Sequence, residues 1–280
     1  MSTFLIVLVL SAALLHASWN ALVKSGGVPE FTIAAYQSLG GLICLVLIFF
    51  LPLPDAASWP YILASALVHN IYYFTLARAY RLGDLSQVYP LFRGLAPILV
   101  AVGAAVFAKE FVSAGTIAGI VLISTGLMSI TLFSKHFGTI SRPAIKWGLI
   151  TSVLIACYTI IDGIGVRLAG DPLSYIAWLF LFEPIPIVSW LLFTQRKAWF
   201  GYLRQSKINI LFGGIASSAA YGLVIFAMSL GAMAMVSSLR ESSVIFAALI
   251  GSLFLKESFG RQRVIATVFV AIGIVIMRVW

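Results

Sequence analysis

Two arginines stand where charge is expensive. Arg93 lies within residues 82–110 (LGDLSQVYPLFRGLAPILVAVGAAVFAKE), and Arg240 lies within residues 234–255. Both stretches are long and apolar enough to cross a bilayer, for which about 20 residues suffice. An arginine at bilayer depth costs roughly 2.5–3.5 kcal/mol on insertion scales, so it marks a partner, a ligand or an ion path. A planar guanidinium can grip a carboxylate or phosphate through two parallel hydrogen bonds. The pair could therefore hold the acidic end of a ligand, or neutralise internal carboxylates and order a helix bundle. Glu241, Asp162 and Glu183 are the carboxylates available for the second role. Adjacent residues on a helix point about 100° apart, so Arg240 and Glu241 cannot both aim straight into one cavity.

The same carboxylates have other uses. Asp162 lies four residues after Tyr158 and shares its helix face. Glu183 stands against Pro184 and Pro186, a broken-helix signature inside an apolar run. Either could hold a ligand's ammonium group or take up a coupling proton. Glu241 and His16 are the further candidates for proton coupling or ion pairing. Pro90 and Pro97 flank Arg93 and deprive the carbonyls of Ser86 and Arg93 of their helical donors. Freed carbonyls are tolerated at membrane depth only beside protein or a water-filled cavity. Trp19, Asn20, His69, Tyr73, Tyr89, Tyr158 and Tyr221 supply indole, amide, imidazole and phenol groups suited to a partly wet ligand cavity. Their competing roles are the aromatic girdle at membrane interfaces and polar ties between helices.

These residues must be positioned by helices. The chain of 280 residues is 61% hydrophobic and 10% charged, with mean hydropathy +1.07. Soluble domains carry about 25% charged residues. The deficit, with apolar runs recurring to the end, predicts an all-α polytopic membrane protein. Ten transmembrane helices are expected, near residues 3–23, 31–51, 59–80, 86–107, 113–133, 146–166, 173–193, 208–229, 234–255 and 263–279. Short connections with breakers such as Pro52-Leu53-Pro54-Asp55 and Asp171-Pro172 separate them, and the longest polar pieces, 134–145 and 194–207, read as loops. Residues 1–18 have the apolarity of a signal peptide but no basic leading region, and are read as the first span.

The composition also excludes function classes. A net charge of +9 is scattered over short loops and follows a positive-inside bias, so no nucleic-acid partner is expected. Cys44 and Cys157 lie within apolar spans and suggest neither a disulfide framework nor a metal site. No HExxH, P-loop or GxSxG motif occurs, and the three histidines are far apart. No enzyme activity, cofactor or metal is therefore expected. Gly115, Gly119 and Gly126 form a small-residue face, read as internal packing in a monomer or weak dimer.

The two halves echo each other. Leu82-Gly83, Val88, Leu91, Arg93 and Lys109-Glu110 correspond to Leu230-Gly231, Val236, Leu239, Arg240 and Lys256-Glu257, allowing a one-residue gap. Tyr73 corresponds to Tyr221, and His16 and Asn20 to Tyr158 and Asp162. A division into residues 1–138 and 139–280 leaves five spans in each half, and an odd number turns the second half upside down. Such inverted repeats place their substrate site near the midplane, where the halves meet.

With this layout and its paired Leu-Gly … Lys-Glu segments, the chain resembles the drug/metabolite transporter superfamily, of the EamA type, over essentially its whole length. The resemblance implies a ten-helix basket around a central cavity lined by the first to fourth and sixth to ninth helices. The fifth and tenth would be outer supports. It also implies a secondary transporter, since relatives export amino acids, aromatic ones among them, as well as metabolites and drugs. The expected activity is alternating-access export of a small zwitterion or organic anion, an amino acid first, across a cell inner membrane. The alternatives are a flippase for an amphipathic lipid precursor, a multidrug or organic-cation exporter, and a membrane-embedded enzyme. The basic residues, Lys24, Arg81, Arg142 and Arg196 among them, place the loops after odd-numbered spans in the cytoplasm and both termini outside. The resemblance implies termini inside, and both orientations stay open.

Overall fold

A computed structural model describes residues 2–25, 28–82, 85–133, 140–254 and 261–279, and every regular element among them is helical. The first half contains α1 (Thr3–Ser25), α2 (Pro29–Leu47), α3 (Trp59–Leu82), α4 (Leu85–Phe107) and α5 (Ala114–Leu132). The second contains α6 (Arg142–Arg167), α7 (Pro172–Phe182), α8 (Pro184–Thr194), α9 (Arg196–Gln205), α10 (Lys207–Leu230), α11 (Met233–Arg240), α12 (Ser243–Phe254) and α13 (Arg261–Val279). Among the described residues, seven helical stretches have the length and apolarity to cross a membrane, namely Thr3–Val23, Pro29–Leu47, Pro90–Phe107, Ala114–Leu132, Arg142–Arg167, Pro172–Thr194 and Lys207–Leu230. α3 has the length, but His69, Asn70, Tyr72 and Tyr73 make it more polar. Val264–Val279 of α13 is apolar and shorter.

Burial is inside out relative to a soluble protein. Leu42, Leu67, Val106 and Val275 are 59–65% exposed on outer helix faces, whereas Ser65, Thr151, Asp162 and Glu241 are fully buried. That surface suits hydrocarbon, where apolar side chains face lipid and polar groups turn inward.

Three local features differ from the sequence expectation or refine it. The seventh span breaks at Glu183, as Pro184 and Pro186 dictate, giving α7 and α8. The ninth span also breaks, between α11 and α12, where a continuous helix was expected. Glu241 N–H donates to the Ser238 carbonyl and Ser242 N–H to Leu239, both at 3.1 Å, so the chain tightens to three-residue turns. The break falls in the run Ser237-Ser238-Leu239-Arg240-Glu241-Ser242-Ser243, where Ser238 Oγ donates to the Ala234 carbonyl at 2.7 Å and Arg93 meets Glu241 at 2.9 Å. The piece 194–207, read as a loop, holds the amphipathic helix α9, with Trp199 buried against Phe31 and stacked on Tyr202. α4, by contrast, runs unbroken through both of its prolines. Ser152 Oγ on α6 donates to the Phe92 carbonyl there at 3.1 Å.

Helix neighbours exchange between halves. α1 packs on α10 as α6 packs on α3, and α1 on α12 as α6 on α4, while α2 meets α7 and α5 meets α13. The outermost pair is the tightest: a Cβ at Gly119 would lie 2.7 Å from the Gly273 carbonyl, and one at Gly273 would lie 2.8 Å from the Gly119 carbonyl. The small-residue face of α5 is thus spent on internal packing.

Candidate functional site

α1, α2, α3, α6, α7, α10 and α11 enclose a central cavity of about 60 Å³, lined from both halves. Its acidic wall is Glu183, held at the α7/α8 break. Gln37 Nε2 on α2 donates to Glu183 Oε1 at 3.0 Å, and the Tyr73 hydroxyl donates to the same oxygen at 3.1 Å. Asn70 Nδ2 donates to the Glu183 backbone carbonyl at 3.0 Å. The carboxylate is 6% exposed, and among the described residues no lysine or arginine lies within ion-pair distance of it. Only neutral donors hold it.

An aromatic wall adjoins it. His69 stacks on Tyr158 with ring centroids 4.1 Å apart, and Tyr221 stands edge-on to both, at 5.2 and 5.7 Å. His69 Nδ1 donates to the Ser65 carbonyl at 2.9 Å, which occupies that nitrogen and leaves Nε2 for other partners. Behind these rings sits Asp162, fully buried, which accepts from Tyr175 at 3.0 Å and from Tyr221. Asp162 therefore anchors the tyrosine wall and is absent from the cavity lining. Trp19 and His16 complete the lining from α1, in edge contact at 5.2 Å.

The basic wall is Arg240, at the α11/α12 break. Glu241 lies between two guanidiniums: Arg93 Nε is 2.9 Å from its Oε2, and Arg240 Nε is 3.9 Å from its Oε1. All three side chains are at most 3% exposed. The second contact is beyond hydrogen-bond distance, and among the described residues Arg240 Nη2 finds no hydrogen-bond partner. Two cations to one carboxylate leave Arg240 as the side chain that turns its charge to the cavity.

The residues singled out from sequence thus fall into three groups. Arg240, Tyr73, Tyr158, Tyr221, Trp19, His16, His69 and Glu183 meet at one cavity. Arg93, Glu241 and Asp162 stand one layer behind it, so the two arginines do not face the cavity as an equivalent pair. Asn20 donates to the His16 carbonyl at 2.8 Å and is not in the lining. Tyr89 belongs to α4, but its side chain lies outside the described residues, as do Lys256-Glu257 and the division at 138/139. α4 contributes none of its described side chains to the lining, contrary to the expectation for the fourth helix. Gln37, Ser217, Ser218 and Phe180 line the cavity and were missed. Gln37 is the one amide in an apolar helix, and Ser217 precedes Tyr221 by four residues, signals that could have marked both.

One end of the bundle is clamped. Arg167, at the end of α6, donates from Nε to the Met228 carbonyl at 2.9 Å and from Nη2 to the Gly231 carbonyl at 2.7 Å. Its Nη1 contacts Glu110 Oε2 at 2.8 Å. Glu110 is placed by the end of α4, where Lys109 adopts φ 53° and Glu110 N–H donates to the Ala104 carbonyl at 3.1 Å. The clamp joins the first half to the second.

No curated protein matches the chain. A solved crystal structure superimposes on 99% of this chain and 96% of that one, with a TM-score of 0.75 at 15% identity, a likeness that carries the fold alone. The EamA-like transporter family model matches residues 3–132 and again residues 142–279, one match per half. Two repeats meeting at a polar cavity inside an apolar helical shell agree with that match, and the chain belongs to the EamA-like transporter family, within the drug/metabolite transporter superfamily.

Proposed function

We propose that this multi-pass membrane transporter exports a small zwitterion, an amino acid in the first instance, across an inner membrane by alternating access between two inverted five-helix halves. The observation that carries this reading is a single cavity that brings together Arg240, Glu183 and the rings of Tyr158 and Tyr221 from the second half with Gln37, His69 and Tyr73 from the first. Arg240 takes the ligand's carboxylate and Glu183 its ammonium, while the rings receive an apolar or aromatic side chain. Arg93 and Glu241 position Arg240. The cavity, at about 60 Å³, holds a few waters at about 10–15 Å³ each, whereas ligand pockets measure about 300–1,000 Å³. Substrate access then requires the helices to part, as alternating access supposes.

The test is uptake into proteoliposomes. Transport of an amino acid should saturate and fall roughly ten- to a hundredfold in Arg240→Gln and in Glu183→Gln, the loss of one charge-assisted hydrogen bond of about 1.5–3 kcal/mol in each. Undiminished amino-acid transport in both variants refutes the assignment. A second reading, export of an organic cation, is favoured by the neutral surroundings of Glu183 and the adjacent rings. It predicts transport that needs Glu183 and survives Arg240→Gln.

A further inference from the structure

A second site lies at the end of the bundle where α9 meets α10. α9 lies across the helix ends with Trp199 and Tyr202 packed on Phe31, and Tyr202 shares a 2.7 Å hydrogen bond with Thr32. Its other side exposes Arg196, Lys197 and Phe200. Between α9 and α10 a groove of about 630 Å³ is lined by Arg204 and Lys207, by polar Ser206 and Asn209, and by no acidic side chain. Ile208 and Phe212, at 75% and 63% exposed, form its apolar edge, and Leu211 and Ile215 continue this outward face along α10. A pair of cations thus stands at the head of a lipid-facing apolar stripe. An amphiphile with an anionic head and hydrocarbon tails matches that sequence of surfaces in both charge and polarity.

We propose that this groove binds the phosphate headgroup of an anionic phospholipid, with Arg204 and Lys207 as its ligands and the acyl chains along Ile208, Leu211, Phe212 and Ile215. A resident lipid here braces α9 against α10, the helix that carries Ser217, Ser218 and Tyr221 into the central cavity. Binding to the folded state alone raises thermal stability by mass action.

The test compares unfolding midpoints in nanodiscs of phosphatidylcholine alone and of phosphatidylcholine mixed with phosphatidylglycerol. Wild type should melt a few degrees higher in the mixture. Arg204→Gln with Lys207→Gln should keep the phosphatidylcholine midpoint and lose the increment. Arg142→Gln with Lys146→Gln removes two exposed charges from α6 and should keep it. An equal midpoint in both lipids, an increment retained by the groove variant, or one lost equally in the α6 variant overturns the proposal. So does a full increment produced by inorganic phosphate in phosphatidylcholine discs, which would assign the groove to a free anion.

Discussion

At the scale of the residue, the centre of the molecule is decided by which buried charge has a partner. Glu241 stands between Arg93 and Arg240, and removing one member of a buried pair costs about 3–5 kcal/mol because the other charge stays behind. Glu241→Gln should therefore destabilise the protein strongly, read as chemical unfolding in detergent. Arg93→Leu combined with Glu241→Leu should recover part of that loss, because the closer of the two cations leaves together with the carboxylate and Arg240 alone keeps a buried charge. The recovery separates an ordering role from a binding role. An amino-acid ligand should still raise the melting temperature of the double variant, by less than in wild type because Arg240 has lost the groups that position it, and should fail to do so in Arg240→Gln. A double variant blind to the ligand would move Arg93 into the site. Asp162 obeys the same logic with neutral partners. Tyr221→Phe removes one of its two tyrosine donors, and a buried acceptor left short costs about 1–3 kcal/mol. Thermal unfolding should show that loss, and an unchanged midpoint would mean that Asp162 does not depend on the Tyr221 hydroxyl.

At the scale of the element, the arrangement depends on where helices touch and where they break. α5 and α13 approach so closely that a Cβ at Gly119 or Gly273 would strike backbone. Neither helix lines the cavity, so Gly273→Leu should force the pair apart and lower stability by about 1–3 kcal/mol, the cost of overpacking. Ligand affinity should be spared in whatever fraction folds, and a stable Gly273→Leu protein would mean that the helices slide freely. This face was legible in the sequence because small residues at four-residue spacing have few other uses in a membrane helix. The α7/α8 break was legible for a similar reason, since Pro184 and Pro186 cannot continue the backbone ladder. The α11/α12 break was not. It falls in a run with no proline or glycine to mark it, at the point where Arg93 of the other half meets Glu241. α9 escaped because a polar ten-residue amphipathic helix has no apolar run to betray it. The equivalence of Arg93 and Arg240 misled for the opposite reason: repeated sequence marks equivalent positions, while the break after Arg240 gives that arginine surroundings Arg93 lacks.

At the scale of the whole molecule, a cavity of about 60 Å³ and a clamped end describe one conformer of a transporter that must have at least two. Arg167 ties the end of α4 to α10 and α11 here, with two carbonyls and Glu110 around its guanidinium, beside two neutral links between the halves, Asp55 N–H to the Ala169 carbonyl at 3.1 Å and Ser174 Oγ to the Pro52 carbonyl at 2.7 Å. A charged donor's hydrogen bond contributes about 1.5–3 kcal/mol when buried, and this side chain is about a third exposed, so the whole clamp is discounted to the order of one such bond, roughly 2–3 kcal/mol. That energy is a factor of about a hundred, enough to turn a 99:1 preference for the closed end into roughly 1:1. Arg167→Ala should thus populate a second conformer without unfolding the protein, while Glu110→Gln, which keeps both carbonyl bonds, should do so less. Spin labels on Phe111→Cys in the first half and Leu173→Cys in the second, both exposed at this end of the bundle and in a background lacking Cys44 and Cys157, would report it. The distance distribution between them should gain a longer component in Arg167→Ala, and substrate should redistribute the two populations. A single unchanged distance would show that the clamp only caps α6, and that the end of the bundle opens elsewhere or not at all.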